Sequence, residues 1–453
     1  MHALFRILTF VCLTGLGVLF NAGAVNAEKG ATIIRDTEIE RTIKSWAEPV
    51  MTGAGYTVDQ INLVIVEDNA VNAFVAGGPN IFLYTGLLLE SQNAAEIVGV
   101  IAHELGHISG GHLIRVRGAF ENASYESMVG MLLGLGAAIL TGNGGVGSAI
   151  ALGTQSAAQR RFLSFSRTQE SSADQAALKA MEKAEMNPEG LISFMQKLES
   201  EELLPASQQD EYVQTHPLTR NRIAALEAGK ARSPFRDRSY PPAWNDEHAR
   251  VIAKLKAFIT PERIAWEYDQ QDNSTTALYA RAIAAYRENK VEEALAGNEK
   301  LIAREPDNPY FYELKGQMLT DFGRVREARA PYEKAVSLLP DAPLIRMAYA
   351  HTLIETAGND REQLQEATVH LKRALRDEPR TPRIHRLLAT AYGRMGEEPL
   401  AKLHLAEEAL LQNRLDDARA LAQSALRDLP ADSAGWLRAK DILSQLEQDT
   451  KKN

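Results

Sequence analysis

Pro306 and Pro340 lie 34 residues apart, and so do Ala294 and Ala328. A spacing of that length constrains the fold more than any other feature of the chain. One such unit cannot bury its own apolar face, so it must stack on copies of itself. Small residues are needed where the two helices of a unit cross closely, and the proline ends the second helix. Within 309–342, Tyr312, Gly316, Leu319, Ala328, Tyr332, Ala335 and Pro340 fall on one helix-pair pattern. The unit before it keeps Leu278, Ala282, Ala294 and Pro306 on the same positions. The unit after it has Ala367, Leu371, Ala374 and Pro379. Its proline comes 39 residues on, and the five extra residues are expected to lengthen the inter-helix turn near 357–363. Ala389, Tyr392 and Ala401 mark a fourth unit. Ala418, Ala422, Ala425 and Pro430 mark a last one that shares a helix with it, and 435–448 would cap the stack.

This is the pattern of a tetratricopeptide repeat, and it predicts an all-α solenoid with helical caps over 247–448. Residues 229–246 hold three prolines and clustered charge and read as a linker. The chain upstream is mixed. Ile39, Ile43 and Trp46 give a helix over 36–52, and 61–68 is a strand. Residues 71–78 and 80–89 read as two more strands joined by a Gly-Gly-Pro-Asn turn. Helices follow from about Ala94, over 165–184, from 187 with Asn187 as N-cap and Pro188 at the first position, and over 215–228. Residues 28–228 are thus expected to form a mostly helical α+β domain with a small sheet.

With 453 residues, the chain is too long for one ordinary core. Its net charge of −9 gives no support to a nucleic-acid partner. The first residues carry one formal charge, Arg6, before Glu28, and an apolar run from Ile7 to Phe20. Val25 and Ala27 then suit the −3 and −1 positions of a cleavage site, so 1–27 reads as a secretory signal peptide. The alternative is an uncleaved anchor at 7–20. The single cysteine, Cys12, lies in that run, so the mature chain holds its cores by burial or by metal, not by disulfides. Residues 128–153 are apolar and Gly-rich. They read as a loop with a small buried helix, or as a lid or flap in peripheral contact with a membrane.

The chemistry concentrates in "VIAHELGHISGGH", Val100 to His112. Helix positions i and i+4 are separated by about 40° and ~6 Å, so His103 and His107 present two imidazoles to one point. That supplies two ligands of a tetrahedral zinc site, one ion per chain. Glu104 lies one step round the helix, where it can take a proton from a metal-activated water. In metzincins a third histidine follows a glycine at fixed spacing. Gly110 fits, but residue 113 is leucine, and His112 would point about 140° away. His112 therefore reads as a solvated or outer-layer histidine. "ESSAD" offers Glu170 as third ligand, with Asp174 on the same helix face to orient His103. By residue type alone, Glu170 is equally a solvated helix-face charge.

"NAFVAGG", "HELGH", "ESSAD" and "HPLTRNR", in this order, resemble the M48 family of zinc metallopeptidases, and the repeats behind them resemble those of its periplasmic members. The resemblance implies a zincin-like fold with Glu170 as the third zinc ligand. It implies that Asn72, Ala73 and Phe74 belong to a cleft-edge strand on which a substrate strand would lie. It also draws His216 into the site. That histidine could reach the zinc and displace the catalytic water, could donate to the tetrahedral oxyanion, or could be a helix-entry residue without chemistry. Arg222 would support the same loop or the oxyanion. The implied function is a periplasmic endopeptidase, peripheral to the outer membrane in location, that degrades misfolded outer-membrane proteins. Its repeats would hold the assembly machinery or a stalled barrel precursor. The competing expectations are a chaperone or scaffold with a silent metal site, and a peptidase anchored in the membrane by 7–20 or 128–140.

Overall fold

The computed structural model describes residues 32–112, 167–199, 201, 204, 208–218 and 220–452. The signal peptide expected at 1–27 and the loop or flap expected at 128–153 lie outside them. Among the described residues, no helix is long and apolar enough to cross a membrane.

The N-terminal domain is built round a four-stranded sheet of β1 (Thr32–Ile34), β2 (Asn62–Glu67), β3 (Ala73–Val75) and β4 (Asn80–Tyr84), in the order β1-β2-β4-β3. The β2–β4 pair is parallel, and the two outer pairs are antiparallel. Helix α1 (Thr37–Ala54) starts where the Asp36 side chain accepts the Ile39 N–H, and it buries Ile39, Ile43, Trp46 and Val50. The run 80–89 is not one strand. It leaves the sheet at Tyr84, and α2 (Thr85–Glu90) begins. Thr85 Oγ1 accepts from the Asp68 N–H at 3.1 Å, and the Gly86 N–H donates to Asp68 O at 2.8 Å. These bonds tie the chain to the end of β2 and turn it into a helix, which a short apolar run cannot announce.

Helix α3 (Ala94–Ser109) is capped by the Asn93 side chain, and every residue from Ala94 to Ile108 is buried. A helix covered on all faces is the centre of its domain. Around it pack α1, α4 (Arg167–Lys183) and α5 (Glu189–Leu198). Asn187 Oδ1 accepts the Glu189 N–H at 3.0 Å, while Pro188 takes the cap position, one residue later than the sequence suggested. Then come α6 (Glu211–Thr215), α7 (Arg220–Arg232) and α8 (Ala243–Ile259). Both ends of 229–246 are helical, since 229–232 are the last turn of α7 and 243–246 the first of α8, and 233–242 connect them. Val251 and Leu255 of α8 join the same apolar core as α1 and α3.

After the short α9 (Ile264–Glu267), the chain runs in helix pairs: α10 (Thr275–Arg287) with α11 (Val291–Arg304), α12 (Pro309–Asp321) with α13 (Val325–Leu338), α14 (Pro343–Thr356) with α15 (Arg361–Asp377), and α16 (Pro382–Arg394) with α17 (Glu398–Leu411). Helix α18 (Leu415–Asp428) packs back on α17, and α19 (Ala434–Lys452) closes the stack. The small residues sit at the crossings. A Cβ on Gly316 would lie 2.8 Å from the Tyr332 ring. The five-residue insertion does not simply lengthen a turn. Most of it is helix, since α15 has 17 residues where α11 and α13 have 14. The repeats return to the start of α1. Arg35 pairs with Glu378 at 2.7 Å, Thr37 Oγ1 donates to Glu313 at 2.7 Å, and buried Lys254 bridges Asp36 and Glu38.

Candidate metal centre

His103, Glu104 and His107 occupy one turn in the middle of α3, and all three are fully buried. Helix α4 crosses that turn closely because Gly106 has no side chain. A Cβ there would lie 2.5 Å from Ala173 O. The crossing brings Glu170 and Asp174, both buried, against the histidines. His103 Nε2 and His107 Nε2 are 3.1 Å apart. Glu170 faces both, with Oε2 at 3.3 Å from His103 Nε2 and Oε1 at 3.2 Å from His107 Nε2.

His216 enters from the C-terminal end of α6, with Nδ1 at 3.2 Å from Glu170 Oε1. Ligand atoms of His103, His107, Glu170 and His216 all lie within 4.8 Å of one another. A tetrahedral ion with bonds of about 2.0–2.1 Å would set its ligand atoms about 3.3 Å apart, close to these contacts. The remaining ring nitrogens are also held. His103 Nδ1 lies 2.9 Å from Asp174 Oδ1, His107 Nδ1 lies 3.2 Å from His112 Nδ1, and His216 Nε2 lies 3.2 Å from Ala73 O. One nitrogen of each ring points to the common centre while the other is fixed by a neighbour, which is how metal-binding imidazoles are oriented. Both Glu104 oxygens are buried without a hydrogen-bond partner. An orphaned carboxylate beside such a donor set fits a site that also takes up a water.

Residues 34–230 match the family described as Peptidase family M48, and residues 276–343 match the tetratricopeptide repeat. The chain carries an M48 peptidase domain. The beta-barrel assembly-enhancing protease of Escherichia coli strain K12 is 24% identical over 428 residues, which span 92% of this chain and 85% of that protein. The protein of the same name from Yersinia pestis is 24% identical over 434 residues, with the same shares.

In the M48 domain, Arg222 sits against the carboxylates of α4. It grips Asp174 through Nε at 2.7 Å and Nη2 at 2.8 Å, reaches Glu170 Oε2 at 2.8 Å, and donates to Pro217 O at 2.9 Å. One guanidinium thus neutralises both carboxylates and holds the loop that carries His216. Burial opposes charge on Glu170, but His216 and the imidazole hydrogen bonds hold its carboxyl well below the usual range. Burial also works against charge on His103, yet Asp174 and Glu170 outweigh it and raise the ring to about 9. Burial dominates at His107, which falls to about 3, and at Glu104, whose carboxyl is pushed up.

The side chains of Asn72, Ala73 and Phe74 do not offer themselves to a substrate. All are buried, Phe74 stacks on Phe82 at 5.0 Å, and Asn72 Nδ2 donates to Glu211 at 3.3 Å. What β3 presents outward is main chain. Two residues of the centre escaped the sequence. Gly106 sets the α3–α4 approach, and a glycine inside an apolar helix was its signal. Tyr212 stacks on His216 at 4.6 Å with 22° between the rings, and only its place four residues ahead of the histidine hinted at this.

Proposed function

We propose that the chain is a zinc-dependent endopeptidase of the bacterial envelope that acts on misfolded or misassembled outer-membrane proteins. The observation that carries the chemistry is the buried Glu104 carboxylate, which accepts no hydrogen bond and lies 3.6 Å from His216 Nε2, beside three imidazoles and Glu170. His103, His107 and Glu170 would hold one zinc ion, with His216 at the fourth position at rest. When bound, zinc would acidify a water and polarise the scissile carbonyl. Glu104 takes the proton of the attacking water and returns it to the leaving amine. Asp174 fixes the His103 ring, and Arg222 keeps both carboxylates charged and in place. The reading at 1–27 supports secretion to the periplasm, and the names of the relatives support a role in barrel assembly. The repeats would then hold the assembly machinery or an unfinished barrel. Contact between 128–153 and a membrane remains part of this proposal.

The test is zinc content and casein cleavage of the mature protein beside Glu104→Gln. One zinc per chain in both, with cleavage lost in the variant, is the expected result. Zinc without cleavage in any form, His216→Ala included, would favour a scaffold with a silent site. Absence of zinc would sink the reading.

A further inference from the structure

Strand β1 covers only part of β2. Their antiparallel register runs from Thr32 opposite Glu67 to Ile34 opposite Ile65 and stops there. On its other side β2 pairs with β4 from Asn62 onward, and the Asn62 N–H goes to Pro79 O at 3.0 Å. Main-chain groups alternate in direction along a strand, so those of Ile61 and Leu63 point the opposite way, towards the line of β1. Asp36 is the residue that would meet Leu63 if β1 went on. It spends its main-chain groups on the first turn of α1 instead. Its N–H goes to Glu40 Oε1 at 3.0 Å, and its oxygen takes the Glu40 N–H at 3.0 Å. The edge of β2 beyond β1 thus carries donors and acceptors that no strand takes up. It faces a groove of about 730 Å3, walled by α1 and, from the repeats, by Pro343, Leu344 and Pro379.

An edge of this kind is a template for one more strand. We propose that it is a docking strand separate from β3, which holds an extended segment of a client protein antiparallel to β2, in the line where β1 leaves off. Charge selects the segment. Glu40 and Glu378 are spent on Arg35, and Asp341 on Arg373. Arg376 and Asp377, also in the groove, offset one another. That leaves exposed Arg41 on the α1 wall, with Lys44, which has Asp59 at 3.7 Å. The side chains of Ile61 and Leu63 point into the core they share with α1. A residue paired with Leu63 turns its own side chain to that same face, towards Arg41 and Lys44. The favoured segment therefore alternates acidic and apolar residues, and its acidic residues turn their main chain to β2. Strand β3 lies at the far end of the sheet, so a client held here leaves the metal cleft free. The site needs no zinc and stands or falls apart from the peptidase reading.

The experiment uses full-length mature protein in EDTA. The probe is a fluorescein-labelled peptide of alternating valine and glutamate, followed by fluorescence anisotropy. Arg41→Glu combined with Lys44→Glu should bind it about ten-fold more weakly, the worth of two exposed ion pairs. Two further peptides carry N-methyl groups, one on every glutamate and one on every valine. The first should lose at least about five-fold in affinity and the second should bind as the parent does, because only the glutamate amides face β2. A photoreactive benzoylphenylalanine in place of Lys44 should cross-link the parent peptide, read by mass spectrometry. No binding, equal binding by the charge-reversed chain, equal behaviour of the two N-methylated peptides, or no cross-link at Lys44 would overturn the proposal. If the charge-reversed chain fails to fold, the peptide pair and the cross-link decide. Failure of the peptidase reading shows instead as missing zinc or missing cleavage.

Discussion

His103 and His107 approach to 3.1 Å through Nε2 in the M48 domain, and His385 and His404 approach to 3.2 Å through Nδ1 in the repeats. Both pairs are buried or nearly so, and both join side chains from helix interiors. Their surroundings differ. The first pair shares Glu170 and a third imidazole, the one group of three or more possible metal ligands among the described residues. The second packs beside Tyr392, whose ring lies parallel to His404 at 5.5 Å. Burial lowers His385 to about 4 and His404 to about 3, so that pair is neutral filling between α16 and α17. Two histidines in contact do not make a centre. What sets the first pair apart is a carboxylate that faces both imidazoles, with Glu104 buried beside it.

The contrast can be broken at either pair. The largest effect belongs to Glu104→Gln, which should lower casein cleavage by roughly 10²–10⁴-fold and leave zinc content at one per chain. His385→Phe, the matched change in the repeats, should leave turnover within about two-fold of the parent. Next comes Asp174→Asn. It weakens the hold on His103 and on Arg222, and zinc affinity measured by competition with a chelator should fall about 10–100-fold. Gly106→Val is next, because it puts a side chain where Ala173 O lies 2.5 Å from a Cβ. Urea unfolding should show a loss of about 1–3 kcal/mol, accompanied by weaker zinc binding. If stability falls and zinc affinity does not, the α3–α4 approach is not what sets the centre.

The smallest effect concerns pH. His385 and His404 titrate below the ordinary histidine value of 6.5 in the folded chain. The unfolded chain therefore binds more protons as pH falls below that value. The stability that the neutral pair supports is full above about pH 6.5 and is lost as pH falls towards 4 and below. Thermal melts between pH 7 and 4 should show the decline, and His385→Phe with His404→Leu should flatten it. An unchanged slope would mean that the pair is not neutral filling.

The repeats were legible because their constraints are local. Alanine or glycine at a crossing and proline at a helix end recur at one spacing, and the helices followed. The His-Glu-x-x-His turn was legible for the same reason, since a helix alone brings His103 and His107 together. Glu170 was not legible from its type, because its partner is 67 positions away and the approach depends on Gly106. The split of 80–89 into strand and helix escaped because Thr85 and Gly86 answer to Asp68 and not to their own periodicity. The inward turn of Asn72 escaped likewise, as its side chain answers to Glu211 and Thr215.

Arg35 stands at the end of the first strand and is held by Glu378, 343 positions later, and by Thr381. A chain made from its N-terminus has no Glu378 to offer until three of its helix pairs exist. Until then Arg35 has only Glu40, and Thr37 and Glu38 lack Glu313 and Lys254. Contacts of such separation close late, after the entropy of a long loop has been overcome. β1 pairs with β2 early, but the side chains that follow it gain their partners in the repeats only near the end, so the junction between the two parts of the chain is completed last.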